Sequence, residues 1–205
     1  MPLGIIVREV DKTFFDPLGF RTRLEELFSE VCSDPRTPAT MRSFWVLHAL
    51  GPGRTFDADP DKGEDHGLRS DAIIGVLPSD LVIYIVPTQS RSVIKARYGV
   101  NPPGADFGGS AYVRGKYGNI SEIYTDYEGI TSGSDAADLA FHELMHNKLQ
   151  MGDEMHSMEG DLGLGRAVLG TSFFGNRLGP GDLRRLCPAL ASNVPQCTNA
   201  DRYLK

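Results

Sequence analysis

Cysteine is scarce in this sequence, and its basic residues do not cluster. The 205 residues include 3 cysteines, none of them in a C-x-x-C pair, which argues against a metal site built from cysteine. The 21 Lys and Arg are outnumbered by 27 Asp and Glu, and basic residues never form a run longer than a pair. A nucleic-acid-binding domain normally carries a basic patch. We therefore expect neither nucleic acid nor an anionic membrane as a partner.

Long apolar runs are also missing from the chain. No segment approaches the roughly 20 apolar residues that a helix needs to cross a bilayer, so the sequence predicts no transmembrane helix. The start of the chain, MPLGIIVREVDK, lacks the basic region and the long apolar region of a signal peptide. We expect a cytoplasmic protein, or one exported by a route that needs no signal peptide.

Hydrophobic residues make up 40% of the chain, which is enough for a sizeable core. Residues 81–87, LVIYIVP, are nearly all apolar, as in a central strand that is covered on both faces. Residues 17–32 have apolar side chains at helical spacing and predict an amphipathic helix. Further strands are predicted at residues 3–10, 43–50, 108–115 and 119–129.

The order of these elements predicts an α/β sheet with helices packed on it. We predict a single domain over residues 1–205. Within it, residues 1–151 form the part that contains the sheet and the helices. Residues 152–205 form an irregular, glycine-rich C-terminal part.

The strongest functional signal is FHELMH, which ends at residue 146. It falls in a predicted helix over residues 135–151, with Ser134 as the N-cap and Gly152 as the stop. Asp135 and Asp138 fall in its first turn, where the helix dipole favours negative charge.

His142 and His146 are spaced so that they lie on one face of that helix, one turn apart. They can offer two imidazole nitrogens to one zinc ion at about 2 Å. Glu143 can reach a water on the ion without binding the ion itself. It can take the proton of that water and pass it to a leaving amine. The alternative interpretation is a helix that carries two histidines without a metal.

The HELMH motif resembles the H-E-x-x-H signature of the zincin metallopeptidases, and the element order resembles their metzincin branch. The resemblance implies a mixed, mostly parallel sheet with an antiparallel edge strand beside the active-site helix. The edge strand would be GGSAYVRG, residues 108–115. The backbone of Ser110, Ala111, Tyr112 and Val113 would then face a peptide substrate. Addition of a strand to a sheet edge is a general mode of peptide recognition.

The chain departs from the metzincin pattern after His146. Gly152 stands at the position of the third ligand in that pattern, and it has no side chain to bind a metal. We expect His156 to be the third ligand, because neutral imidazole is a common zinc ligand. Asp153 and Glu159 remain alternatives.

These observations together predict a zinc-dependent endopeptidase with His142, His146 and His156 as metal ligands and Glu143 as general base. Its partner is a protein or peptide substrate. A small protease without a signal peptide suggests a secreted effector or toxin. One alternative is a zincin-like module that binds metal or peptide without turnover, which the intact Glu143 disfavours. Another is a zinc amidohydrolase that acts on a non-peptide substrate.

Overall fold

The computed structural model shows an α/β fold with a five-stranded, mostly parallel sheet, as the sequence predicts. The elements follow the order β1, α1, β2, β3, β4, β5, α2, α3 along the chain. The structure describes residues 3–9, 16–49, 80–92, 108–113, 118–156, 162–165 and 177–191.

The sheet has the strand order β2-β1-β3-β5-β4. Its first four strands are parallel, and β4 pairs with β5 in the antiparallel direction. The predicted central strand is therefore confirmed as β3, and the predicted short strand is confirmed as an antiparallel edge. The strands are β1 (Leu3–Glu9), β2 (Phe44–Ala49), β3 (Leu81–Val86), β4 (Gly109–Ala111) and β5 (Ile120–Tyr124).

Two long helices and one short helix accompany the sheet in the described part of the chain. They are α1 (Pro17–Ser33), α2 (Gly133–Leu149) and α3 (Pro180–Ala189). The rings of Phe28 in α1 and Phe141 in α2 have centroids 4.9 Å apart, and such a pair adds about 0.5–1.5 kcal/mol beyond the area that it buries. No helix in the described ranges is both long and apolar enough to cross a membrane.

The core lies between the sheet and these helices. Alternate residues of β1 and β3 point into it, from Leu3 to Val7 and from Leu81 to Ile85. The intervening residues, such as Ile6 and Val82, are also buried, as expected for parallel strands. The core also includes residues of α3, so the described part of the C-terminal region packs against the rest of the domain.

The helix α2 begins and ends about two residues earlier than predicted. Ser132, not Ser134, is the N-cap, and its hydroxyl accepts from the backbone N–H of Asp135 at 3.2 Å. At the other end Gln150, not Gly152, adopts the left-handed conformation, with φ 54°. A non-glycine residue rarely adopts this conformation. The side-chain amide of Gln150 donates to the carbonyl of Gly118 at 2.6 Å, and this distant contact fixes the helix end.

Asp138 lies in the second turn of α2, not in the first as predicted, because the helix begins at Gly133. It is fully buried, and its carboxylate accepts from Nε of Arg23 in α1 at 2.7 Å. Charge-assisted hydrogen bonds of this kind are stronger than neutral ones. The pair therefore fixes α2 against α1 with a direction that apolar packing alone does not supply.

Candidate metal centre

Two of the three predicted metal ligands lie side by side on α2. His142 and His146 are 4% and 7% exposed, and their Nε2 atoms are 3.1 Å apart. The spacing of four residues places both rings on one face, as the sequence predicts. Their rings meet edge to face, with centroids 4.8 Å apart.

The third histidine comes from the segment that follows the helix. After Gln150 the chain turns, passes through one short helical turn at Asp153–Met155, and reaches His156. The Nε2 atom of His156 lies 3.3 Å from that of His142 and 3.1 Å from that of His146. The structure thus brings together the three histidines that the sequence selects.

Of the two alternative ligands, Asp153 does not belong to this cluster. Asp153 is exposed to solvent, and Glu159 lies outside the described residues. Over the described part of the chain, the three histidines form the one group of three or more His, Cys, Asp or Glu side chains that could hold a metal ion.

The separations within the cluster match those of ligands on a single ion. A tetrahedral ion with imidazole nitrogens at about 2.0–2.1 Å places those nitrogens about 3.3–3.4 Å apart. The three Nε2 separations of 3.1–3.3 Å are close to this value.

The other nitrogen of each helix histidine determines which form of the ring is present. Nδ1 of His142 lies 2.5 Å from the carbonyl oxygen of Leu164, and Nδ1 of His146 lies 2.7 Å from that of Met151. A carbonyl oxygen only accepts, so each Nδ1 carries the proton and each Nε2 presents a lone pair. Two lone pairs that face each other at 3.1 Å repel unless they share a cation. The donor set therefore fits a metal ion, and the carbonyls fix the rings as is usual around bound metals.

The electrostatics of the cluster favour the neutral rings that bind metals. Burial lowers the pKa of His142 to about 3. A positive charge on His146 or His156 would lower this pKa as well. Burial likewise lowers the pKa values of His146 and His156. At neutral pH all three imidazoles are therefore uncharged and able to bind a metal without losing a proton.

The side chain of Glu143 extends from α2, the metal helix, toward the edge strand β4. A Cβ atom built on Gly109 of β4 would come within 2.6 Å of the Glu143 Oε1 atom, so the absence of a side chain at Gly109 makes room for this carboxylate. Burial, with a contribution from the charge of Glu122, raises the pKa of Glu143 to about 8. Glu122 itself accepts hydrogen bonds from the hydroxyls of Ser92 and Tyr124.

The pairing of β4 with β5 decides which backbone groups of β4 point toward β5 and which point away from it. The N–H of Tyr112 donates to the carbonyl of Ile120, and the carbonyl of Gly108 accepts from the N–H of Tyr124, both at 2.8 Å. In an antiparallel ladder the direction of the backbone groups alternates along the strand. The N–H and C=O groups of Ala111 therefore point away from β5, to the open edge of the sheet, where the structure describes no further strand.

By this alternation, not every residue of the predicted substrate-binding segment Ser110–Val113 can direct its backbone groups to the edge of the sheet. Ser110 and Tyr112 direct their backbone groups toward β5. Ala111 and, by the same alternation, Gly109 direct theirs to the open edge. Gly109 was not among the predicted residues, although the two-residue period of a strand could have included it.

Asp182 is a second residue that the sequence analysis missed. It is fully buried in the first turn of α3. Its carboxylate accepts from the backbone N–H groups of Gly163, Gly165 and Gly179 at 2.8, 3.2 and 2.9 Å. The turn held in this way contains Leu164, whose carbonyl accepts from His142. No local pattern around Asp182 indicates this connection.

The glycines of this turn are required by its packing. A Cβ on Gly163 would lie 2.5 Å from the backbone nitrogen of Gly179, and a Cβ on Gly165 would lie 2.5 Å from Oδ1 of Asp182. Side chains at these positions would separate the turn from α3. The described part of the glycine-rich segment is thus a hydrogen-bonded support of the metal centre.

Replacing Asp182 with asparagine is expected to weaken metal binding by about 10–100-fold, as loss of other residues that orient metal ligands does. The amide cannot accept from three N–H groups at once, so the Leu164 carbonyl loses its fixed position. Competition between the protein and a chromogenic zinc chelator measures the affinity. Asp135→Asn, which alters a carboxylate at the start of α2, is the matched control. An Asp182→Asn protein that folds and binds zinc like the wild type would contradict the proposed support.

Comparisons with known proteins do not assign this chain to a family. No protein-family model matches the sequence, and no curated protein matches it. The interpretation of the site therefore rests on its residues and their geometry.

Proposed function

We propose that this chain is a zinc-dependent endopeptidase of the zincin class. The observation that carries the proposal is the convergence of the His142, His146 and His156 Nε2 atoms within 3.3 Å of one another. Glu143 lies on the same helix, directly after the first of these histidines.

Three features of the ligand set support the proposal. The first two favour zinc as the metal, and the third favours a catalytic over a structural site. Imidazole is a preferred ligand of zinc, although copper, iron and nickel also accept it. The Nε2 separations fit a tetrahedral ion. Among the described residues the ligand set is three histidines, which would leave a fourth position for water, whereas structural zinc sites fill all four with protein side chains. A bound zinc ion would supply an acidified water and a Lewis acid for the substrate carbonyl.

Glu143 is proposed as the group that moves protons. Its position next to His142 in the sequence places it beside the ligands, and its carboxylate extends toward β4 instead of joining the Nε2 cluster. In hydrolysis it accepts a proton from the attacking water as the new C–O bond forms. It then returns that proton to the amine nitrogen as the C–N bond breaks.

The edge strand supports a peptide as the substrate. Gly109 and Ala111 direct backbone N–H and C=O groups to the open edge, where an extended peptide can pair with them. Gly109 is also the residue that Glu143 approaches. A peptide paired along β4 would therefore pass close to the proposed proton-transfer group. A small non-peptide amide would have no use for this row of backbone groups.

The proposal is tested by metal analysis together with a cleavage assay. We expect about one zinc per chain, and we expect new N-termini to appear by mass spectrometry when the protein is mixed with denatured proteins. A chelator should abolish cleavage, and added zinc should restore it. Bound zinc without any new N-termini would favour a binding module. Hydrolysis of non-peptide amides alone would favour an amidohydrolase. Either result would overturn the proposal.

A further inference from the structure

Asn147 connects the metal helix to the edge strand. Its side chain is fully buried, and its amide group donates to the carbonyl of Tyr112 at 2.6 Å and to the carbonyl of Ile120 at 3.0 Å. Tyr112 is the first residue after β4, and Ile120 is the first residue of β5. One amide therefore bridges the two strands at the point where the edge strand leaves the sheet.

One of the two carbonyls that Asn147 contacts also takes part in the pairing of β4 with β5. The carbonyl of Ile120 accepts both from Asn147 and from the N–H of Tyr112. The two donor contacts of Asn147 thus tie the end of β4 to β5 and to α2 together. Asn147 directly follows His146, so the tie starts from a residue next to a metal ligand.

The two contacts leave one polar atom of Asn147 without a partner in the described part of the chain. Its Oδ1 atom is buried and has no hydrogen-bond partner among the described residues. An unsatisfied buried acceptor costs about 1–3 kcal/mol. An apolar residue of similar size would avoid this cost but could not donate to either carbonyl. The two donor contacts, which join α2 to both strands, are therefore what asparagine supplies at this position.

We infer that Asn147 is a positioning residue that sets the distance between the metal centre and the strand that aligns the peptide. The inference rests on the proposed peptidase function. Apolar packing holds α2 on the sheet without fixing its exact height, whereas the hydrogen bonds of Asn147 to the residue after β4 and to the first residue of β5 do fix it. A misplacement of about 1 Å between bound groups can cost about 10²-fold in rate.

The test replaces Asn147 with leucine, which has similar size and no donor. With the zinc-loaded protein, kcat/KM for a long peptide that can pair along β4 should fall by about 10–100-fold. The value for a short chromogenic peptide that cannot reach the strand should change less than about threefold, and zinc affinity should stay near that of the wild type. A general loss of structure would lower both activities and the zinc affinity.

The matched control is Asn119→Leu. Asn119 is also buried, and its amide donates to a backbone carbonyl of the sheet, that of Asp80, at 2.8 Å. This contact joins the residues that directly precede β3 and β5, and it does not involve the edge strand. We expect the control to keep the wild-type ratio between the long and the short substrate. An equal loss for both substrates in Asn147→Leu would overturn the inference.

Hydrogen exchange separates a failure of this inference from a failure of the peptidase proposal, because it needs no activity. In Asn147→Leu the exchange protection of the Tyr112 amide should fall by about tenfold, which corresponds to one hydrogen bond. Unchanged protection would show that Asn147 does not hold the strand, whatever the enzyme does. If exchange changes as expected but even the wild type cleaves no peptide, the peptidase function is overturned. The role of Asn147 in the reaction is then overturned with it.

Discussion

Replacing Glu143 with glutamine is expected to lower the rate of peptide hydrolysis by about 10²–10⁴-fold, the usual contribution of a general acid–base. Glutamine has the same shape and fits the space that Gly109 leaves, but it cannot accept a proton from water. The three histidines are untouched, so the variant should bind zinc as the wild type does. The initial rate of cleavage and the zinc content are measured on the same preparation.

The control for this variant is Glu154→Gln. Glu154 is an exposed carboxylate in the turn just before His156, so this variant makes the same change from carboxylate to amide near the site without altering the proposed proton path. We expect its rate to stay within about twofold of the wild type, since exposed charges interact weakly. A Glu143→Gln protein that keeps more than a tenth of the wild-type rate would show that another group moves the proton.

Removal of His156 is expected to have the second large effect. In His156→Ala the zinc affinity should fall by at least about 100-fold, the upper end of what loss of an orienting residue costs, because a direct ligand is lost. His156 is half-buried at the end of a short turn, so the fold should tolerate the change. Zinc should raise the melting temperature of the wild type more than that of the variant, since a ligand of the native state stabilises it by mass action.

Asp153→Ala is the control that separates the candidate ligands. Its carboxylate is exposed and is not among the ligand atoms that cluster, so this variant should bind zinc as tightly as the wild type. His156→Ala with full zinc affinity would exclude this histidine as the third ligand. Loss of affinity in Asp153→Ala alone would instead favour the aspartate.

The parts of the fold that the sequence predicted are those that depend on local pattern. The amphipathic spacing of α1 follows from the 3.6-residue repeat, and the apolar run of β3 and the short run of β4 follow from the composition of a few consecutive residues. The helical spacing of His142 and His146 is of the same kind. The sequence alone could therefore place two histidines on one helix face and a glutamate beside them.

The end of α2 shows where local pattern is insufficient. Gly152 is the better stop signal on propensity, yet the helix ends at Gln150 in a conformation that glutamine rarely adopts. The contact with Gly118 decides this, and Gly118 is 32 residues away in the chain. The position of His156 depends on the same turn. The sequence could favour His156 among nearby candidates, but it could not show how the chain would return.

The sequence by itself determined the class of fold, the two histidines on α2 and the chemical type of their neighbour Glu143. Only the tertiary structure decided the rest: that His156 meets them, that Asp182 supports the turn behind His142, that Asn147 ties the metal helix to β4, and that Ala111 faces the open edge. The physical reason is the range of the interactions. Helical and strand periodicity acts over a few residues, whereas these contacts depend on how distant segments pack.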